Sequence, residues 1–440
     1  MIVELNSETI SQIKNPYFAK YASIYQKIER DFWATVRKLG VPIDSRDERA
    51  EVRAKIANLV SKGALRRNDD KSIYVNRISP SCQACQTGLG TATFFISLKC
   101  HRNCFFCFNP NQENYDEFQT GKRNCIQELE AIHKSGAVLE HIALTGGEPL
   151  LHRAEAIEFF NYADAKFPHA YKRLYTSGDH IDEELLTELQ AAHLDEIRFS
   201  IRMYDSEKAR QHTYSRIALA KAYIPNVMVE VPVLPGTSSE MKQVLLKLDD
   251  LGVFGINLLE FCFPLNNAED YRDKGYLIKH NPFRVLYNYS YAGGLPVADS
   301  ELECLDLVEF ALDQKLKLGV HYCSLENKHT GEVYQRHFDQ AIPSRMYFSP
   351  RDYFLKSAKV FGKDIQRVLP IFEQMVYRAY ERNRDRYYLE FHPSKIGALK
   401  ELEIEIGIST TLMEKRSEGP VLRELKIDLT TPQTFDFSDL

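Results

Sequence analysis

Residues Thr91 to Asn109 read Thr-Ala-Thr-Phe-Phe-Ile-Ser-Leu-Lys-Cys-His-Arg-Asn-Cys-Phe-Phe-Cys-Phe-Asn. Ala92, Phe94, Phe95, Ile96 and Leu98 predict a hydrophobic strand, which feeds into Cys100, Cys104 and Cys107. Thiols spaced three and then two residues apart can converge on one inorganic centre within a short loop. Three ligands are one fewer than a closed tetrahedral site uses. Structural zinc sites more often draw on two separated CxxC pairs, whereas this loop leaves one metal position for something that is not protein. The bland alternative is three inert buried thiols, but free buried cysteines rarely cluster so tightly.

Downstream, strand and helix patterns alternate. Cys125–His133 reads as a helix, and a strand over Leu139–Leu144 delivers Thr145-Gly146-Gly147-Glu148-Pro149. Paired glycines at a strand end let backbone approach a ligand and expose amide donors, and Glu148 can pair with an ammonium group. Helix Ala154–Lys166 precedes strand Arg173–Thr176, and helix Glu183–Ala191 precedes strand Asp195–Ile201. Strand Val227–Val233, helix Ser239–Leu251 and strand Gly255–Phe261 follow. Strands separated by helices at such intervals mean parallel βα units with right-handed crossovers. In barrels built this way chemistry collects at the C-terminal strand ends, where each motif named here falls. In the sixth strand, Asn257 and Glu260 interrupt an apolar run. A carboxylate is rarely buried unless paired, so Glu260 is a candidate catalytic residue of the pocket, its alternative being a solvent-facing shoulder.

These motifs resemble the radical S-adenosylmethionine (SAM) superfamily, which carries CxxxCxxC with an aromatic residue before the last cysteine, here Phe106. The resemblance covers roughly Cys82 to Cys323. It implies an α/β fold with a partial (β/α)6 TIM-like barrel. It also implies a [4Fe–4S] cluster on Cys100, Cys104 and Cys107, whose fourth iron chelates the amino and carboxylate groups of SAM. Gly146, Gly147 and Glu148 match the motif that contacts the SAM amino group. Thr176, Ser177, Ser200 and Arg202 occupy positions that often touch its ribose and carboxylate. The implied reaction is reductive cleavage of SAM to methionine and a 5′-deoxyadenosyl radical that takes hydrogen from a substrate, with flavodoxin or ferredoxin as the electron donor. With its CxxC before the first strand and an extra downstream cysteine, the chain also resembles a branch described as pyruvate formate-lyase activating enzyme-like.

The chain has 440 residues, a net charge of −5, 44% hydrophobic and 27% charged residues, and nine cysteines. That describes a large domain with smaller companions and gives no overall electrostatic reason to bind nucleic acid. No apolar run is long enough to span a membrane and the N-terminus lacks a signal peptide's pattern, so a cytoplasmic, reducing setting is expected. Three regions are expected: 1–80, 81–330 and 331–440. The first carries two helices and a basic-tipped hairpin (Ala64–Arg67, Ser72–Val75), an outline resembling a winged helix. Such a module can hold a leader peptide, which favours a peptide or protein substrate over a nucleic-acid base or small metabolite. A reading from a different class, a zinc-binding DNA-associated regulator, leaves the Gly-Gly-Glu-Pro turn and the βα array without a role. The last region mixes a helical stretch (Val368–Arg386) with a β-prone tail and no motif carrying chemistry.

Cys82-Gln-Ala-Cys85 precedes the first core strand, and Cys323 ends the strand-like segment that follows the helix Leu302–Leu316. These three are expected to hold a second metal centre, an iron–sulfur cluster by preference, with Cys262 as a possible fourth ligand. A strand from Thr91 to Leu98 spans roughly 25 Å, so Gly88-Leu89-Gly90 must fold residues 80–87 back along it. Cys125 and Cys304 sit at helical-core spacing and read as plain core residues.

Overall fold

The computed structural model describes residues 1–287 and 293–440, which form two compact units. The larger comprises residues 39–282 and 288–331, less the undescribed positions. Its helices are α2 (Arg49–Ser61), α3 (Pro80–Ala84), α4 (Tyr115–Thr120), α5 (Cys125–Lys134), α6 (Arg153–Lys166), α7 (Glu183–Ala191), α8 (Glu207–Ala220), α9 (Ser238–Leu251), α10 (Ala268–Asp273), α11 (Ser300–Asp313) and the start of α12 (Leu325–His337); α1 (Pro16–Lys38) belongs to the other unit. Its strands are β1 (Leu65–Arg67), β2 (Ser72–Val75), β3 (Thr91–Phe95), β4 (His141–Thr145), β5 (Tyr171–Thr176), β6 (Glu196–Ser200), β7 (Asn226–Val233), β8 (Gly255–Glu260), β9 (Cys262–Phe263), β10 (Leu295–Pro296) and β11 (Gly319–Cys323).

Nine of these strands form one sheet in the order β1-β2-β11-β8-β7-β6-β5-β4-β3. From β3 to β8 each strand pairs in parallel with the next in sequence, and β11 extends the parallel array beyond β8. This is the expected partial (β/α)6 TIM-like barrel with a seventh parallel strand. Helix starts follow local chemistry: the side chains of Asn124, Asp182 and Ser206 cap the first amides of α5, α7 and α8. Alternate strand residues such as Leu144, Leu174, Ile197, Phe199, Val229, Val231 and Ile256 join the helices in the main core, together with Cys125 and Cys304. The opposite face, carrying Arg173, Glu196, Arg198, Glu230 and Asn257, turns to the interior of the barrel.

The expected winged helix is not a separate N-terminal body. β2 pairs antiparallel with β11, placing Val75 opposite Val320 and Ser72 opposite Cys323. Ile73 and Val75 are buried in the barrel's own core, which is why the hairpin docks as a sheet extension rather than standing free as a wing. Its turn uses Asn68, Asp69 and Asp70 in succession at φ of 51°, 51° and 65°, a conformation that Asn and Asp tolerate. The compact unit that holds the barrel begins at Leu39.

The smaller unit comprises residues 1–38, 283–287 and 332–440. Its sheet contains β12 (Tyr347–Phe348), β13 (Leu355–Phe361), β14 (Tyr380–Asn383), β15 (Tyr388–Phe391), β16 (Ile406–Arg416) and β17 (Gly419–Thr430), all antiparallel. Phe18 of α1 stacks on Phe361. The helix expected over Val368–Arg386 is shorter and earlier: α13 covers Asp364–Gln374, and Tyr380–Asn383 is strand. The Tyr- and Arg-rich residues that suggested helix pair across β15, with Tyr380 opposite Phe391.

Candidate functional site

Residues 96–99 carry the chain from β3 into the cysteine loop, and the Gly-Gly-Glu-Pro turn packs against that exit. The amide of Gly147 donates to the carbonyl of Ser97 (3.1 Å), and that of Glu148 to the carbonyl of Lys99 (2.9 Å). A Cβ on Gly147 would lie 1.9 Å from the Lys99 carbonyl oxygen, and Gly146 adopts a φ of +116°. The close approach that these glycines permit is therefore to the chain's own loop, and two of the turn's amides are used there. From the other side, Asn109 donates its side-chain amide to the Gly146 carbonyl (2.8 Å). The turn and the loop form one folded piece.

Glu148 is buried, and its carboxylate joins strand ends. One oxygen accepts from the Thr176 hydroxyl (2.8 Å) and the Leu150 amide (3.2 Å), the other from the Ser177 amide (2.7 Å). An ionised carboxylate accepts about four hydrogen bonds, which leaves acceptor capacity for an ammonium group. Thr176 and Ser177 are buried and hydrogen-bonded, not a water-facing cluster. Ser177 donates its hydroxyl to Asp179 (3.1 Å).

Asp179, which the sequence reading did not single out, clamps the loop between its first two cysteines. Arg102 offers a fork to both carboxylate oxygens (Nε and Nη2, each 2.6 Å), and His101 Nε2 lies 2.6 Å from Oδ2. Burial opposes the charge, but these partners outweigh it and hold the carboxyl down at about 2. Its position beside Ser177-Gly178, at a strand end already carrying candidates, was the available signal.

Cys100 is exposed, while Cys104 and Cys107 are partly buried. Burial pushes the Cys100 and Cys107 thiols up. Charge on Cys104 pushes both further, and Glu148 and Arg202 act on Cys100 in opposite directions. These mutual effects place the three thiols, Glu148 and Arg202 in one neighbourhood. Arg202 is itself buried against Asp205 (2.7 Å). Among the described residues no three Cys, His, Asp or Glu side chains close on a common point as a metal site does. The donor set nonetheless suits an iron–sulfur centre: three soft thiols on one loop that has no regular secondary structure between Cys100 and Cys107.

Aromatic rings wall the loop. Phe106 packs edge-on to Phe261 (5.9 Å between centroids) and Tyr204 (6.1 Å), and Phe105 touches Tyr271 (5.5 Å). Of these rings Phe261 and Tyr271 are buried, while Tyr204 remains exposed at the rim. Ser200 ends β6 exposed and stands apart from these contacts.

Glu260 requires a correction. It lies three residues from Asn257 and so on the opposite face of β8, the side shared with Ile256 and Leu258. There it pairs with Lys279 Nζ (2.8 Å) and accepts the Leu325 amide (2.7 Å), and Lys279 also contacts Glu301. This buried, paired carboxylate braces β8 to the following segments and does not face the barrel interior. Asn257 does face it, and donates to Glu230 (2.7 Å). Arg198 joins Glu230 (2.6 Å) and Glu196 (2.5 Å), so the interior polar network spans β6, β7 and β8. The charges of Glu196, Arg198 and Glu230 alternate with apolar neighbours, a period-two signal present in the sequence.

Residues 94–248 match the Radical SAM superfamily. A Methanocaldococcus jannaschii protein provisionally named a glycyl-radical enzyme activating enzyme is 27% identical over 255 residues, 56% of this chain and 64% of that protein; the chain thus spans less than two thirds of this relative's length. Among solved structures, Streptococcus suis SuiB bound to its precursor peptide SuiA gives a TM-score of 0.40 at 12% identity over 74% of this chain and 68% of SuiB. Escherichia coli coproporphyrinogen III oxidase, described as a radical SAM enzyme, gives 0.36 at 14% identity over 55% and 57%. Among the described residues no helix is long and apolar enough to cross a membrane.

Proposed function

We propose that this radical SAM superfamily enzyme cleaves SAM reductively at the Cys100–Cys107 loop and uses the resulting radical on a peptide or protein. The observation that carries the reading is that the three-cysteine loop and the Gly146–Glu148 turn are one hydrogen-bonded unit at adjacent parallel strand ends. Cys100, Cys104 and Cys107 would hold a [4Fe–4S] cluster, and Glu148, Thr176, Ser177, Ser200 and Arg202 would flank SAM. When bound, the cluster supplies the electron that splits the SAM sulfonium into methionine and a 5′-deoxyadenosyl radical, which removes a substrate hydrogen atom.

The chain's own residues do the rest. Asp179 fixes the loop through His101 and Arg102, and the carboxylate of Glu148 holds the ends of β4 and β5 together while keeping capacity to accept a hydrogen bond from an ammonium group. Phe105, Phe106, Tyr204 and Phe261 form an aromatic wall on one side of the cysteine loop. A macromolecular substrate is supported by the relative's name, which describes an enzyme acting on another enzyme. The docked hairpin no longer supports it. The setting is the cytoplasm, in keeping with nine free cysteines, and the electron donor is a flavodoxin or ferredoxin.

Anaerobically reconstituted protein with SAM and a reductant should release 5′-deoxyadenosine, and a peptide or protein substrate should raise its yield and change in mass. Absence of 5′-deoxyadenosine from iron-loaded protein would refute the reading.

A further inference from the structure

Cys82 lies in α3 and Cys85 just beyond it, while Cys323 ends β11 far along the chain. Gly88 and Gly90, at φ of +66° and +62°, turn the segment back along the barrel. Its reach is shown by Ser79, which donates to Glu196 (2.6 Å), and by Ser81 Oγ, 3.1 Å from His141 Nδ1. The docked hairpin then fixes both cysteine segments. Arg67 Nη2 donates to the Gln83 carbonyl (3.3 Å) and the Gln86 side chain (3.1 Å), and Ser72 is the register partner of Cys323. Helix α12 closes the group. Its Gly331 lies so near that a Cβ there would be 2.8 Å from the Cys85 carbonyl oxygen.

We infer that Cys82, Cys85 and Cys323 hold a second iron–sulfur cluster, separate from the Cys100 loop. Donors already point at two of the three sulfurs: Arg198 Nη2 lies 3.1 Å from Cys82 Sγ, and Asn327 Nδ2 lies 3.3 Å from Cys323 Sγ. N–H groups on the sulfurs and nearby cations offset the negative charge of a thiolate-bound cluster and tune its potential. His321 lies on the same face of β11 as Cys323. It is buried with Nδ1 unpaired, while Nε2 sits 2.7 Å from the Ser72 hydroxyl. A buried polar atom without a partner is costly, and this one lies two residues before Cys323 on the strand that carries it. As in the Cys100 loop, the sulfurs do not yet close on one point, and ligation would draw them in.

The test counts metal in the full chain after anaerobic reconstitution with iron and sulfide. The wild type should bind about eight irons, and the Cys100→Ala/Cys104→Ala/Cys107→Ala variant should keep about four, with sulfide and charge-transfer absorption. Cys82→Ala/Cys85→Ala should lose half of the wild-type iron while keeping its circular dichroism. Because these two side chains are not core residues, this variant tests the site even if the triple variant fails to fold. Wild-type iron in the Cys82/Cys85 variant overturns the proposal, as does a folded triple variant carrying only zinc or no metal. The two readings fail separately. Iron lost with Cys82 and Cys85 but not with the Cys100 loop would refute the SAM-loop assignment and uphold this one.

Discussion

Replacing Gly147 with alanine tests whether the Gly-Gly-Glu-Pro turn and the cysteine loop are one unit. The new Cβ would sit 1.9 Å from the Lys99 carbonyl oxygen, 2.4 Å from its carbon and 2.7 Å from the Leu98 carbon. All three are backbone atoms, so no flexible side chain can swing away. About 1.5 Å of separation must open before ordinary contact is restored. That displacement breaks the bonds from Gly147 N to Ser97 O and from Glu148 N to Lys99 O. Overpacking costs about 1–3 kcal/mol, and each lost hydrogen bond about 0.5–1.5 kcal/mol. The sum, roughly 2–6 kcal/mol, is a large part of the ~5–15 kcal/mol that separates folded from unfolded domains. Because Lys99 adjoins Cys100, the variant should melt earlier and also lose iron and 5′-deoxyadenosine formation. Gly136→Ala is the control: its φ is +75° with nothing within 4 Å, so it carries backbone strain without a clash. Thermal unfolding and iron content of both variants decide the matter. A Gly147→Ala protein that matches Gly136→Ala in melting temperature and the wild type in iron would refute the reasoning.

Asp179→Asn should loosen the loop and lower iron retention. Because the folded carboxyl sits at about 2, below its ordinary 3.8, its stabilisation of roughly 2 kcal/mol is present above about pH 4 and is lost as pH falls toward 2. The variant's acid unfolding should lack that component, and an unchanged profile from pH 4 to 2 would exclude the clamp. Alanine at Cys100, Cys104 or Cys107 should abolish 5′-deoxyadenosine formation, since three protein ligands leave none to spare; wild-type turnover from any one counts against the assignment. Glu148→Gln should weaken SAM binding by roughly 1–3 kcal/mol and also lower stability, because an amide cannot accept at both ends from Thr176, Leu150 and Ser177. Unchanged SAM affinity by calorimetry would remove Glu148 from the site.

Much of the barrel was legible from local pattern. The βα alternation sets parallel pairing because a crossover helix leaves few other ways to bury an apolar strand face. The CxxxCxxC spacing and the Gly146–Glu148 turn are contiguous, so their chemistry needs no long-range information. Other features depend on pairings between distant segments. The Ser72–Val75 strand reads as half of a free hairpin until Val75 is opposite Val320, and only that register brings it into the barrel's core. A carboxylate in the apolar run of β8 reads as a pocket residue from the sequence, and its partner Lys279, which accounts for its burial on the other face, comes from a separate segment. Asp179 became visible as a clamp once the β5 end lay beside the cysteine loop. Short spacings along the chain determined which groups could bind a cofactor. The faces of strands, and the pairing of residues hundreds of positions apart, decided which of them meet, because side-chain direction alternates every residue and one step of register exchanges core for interior.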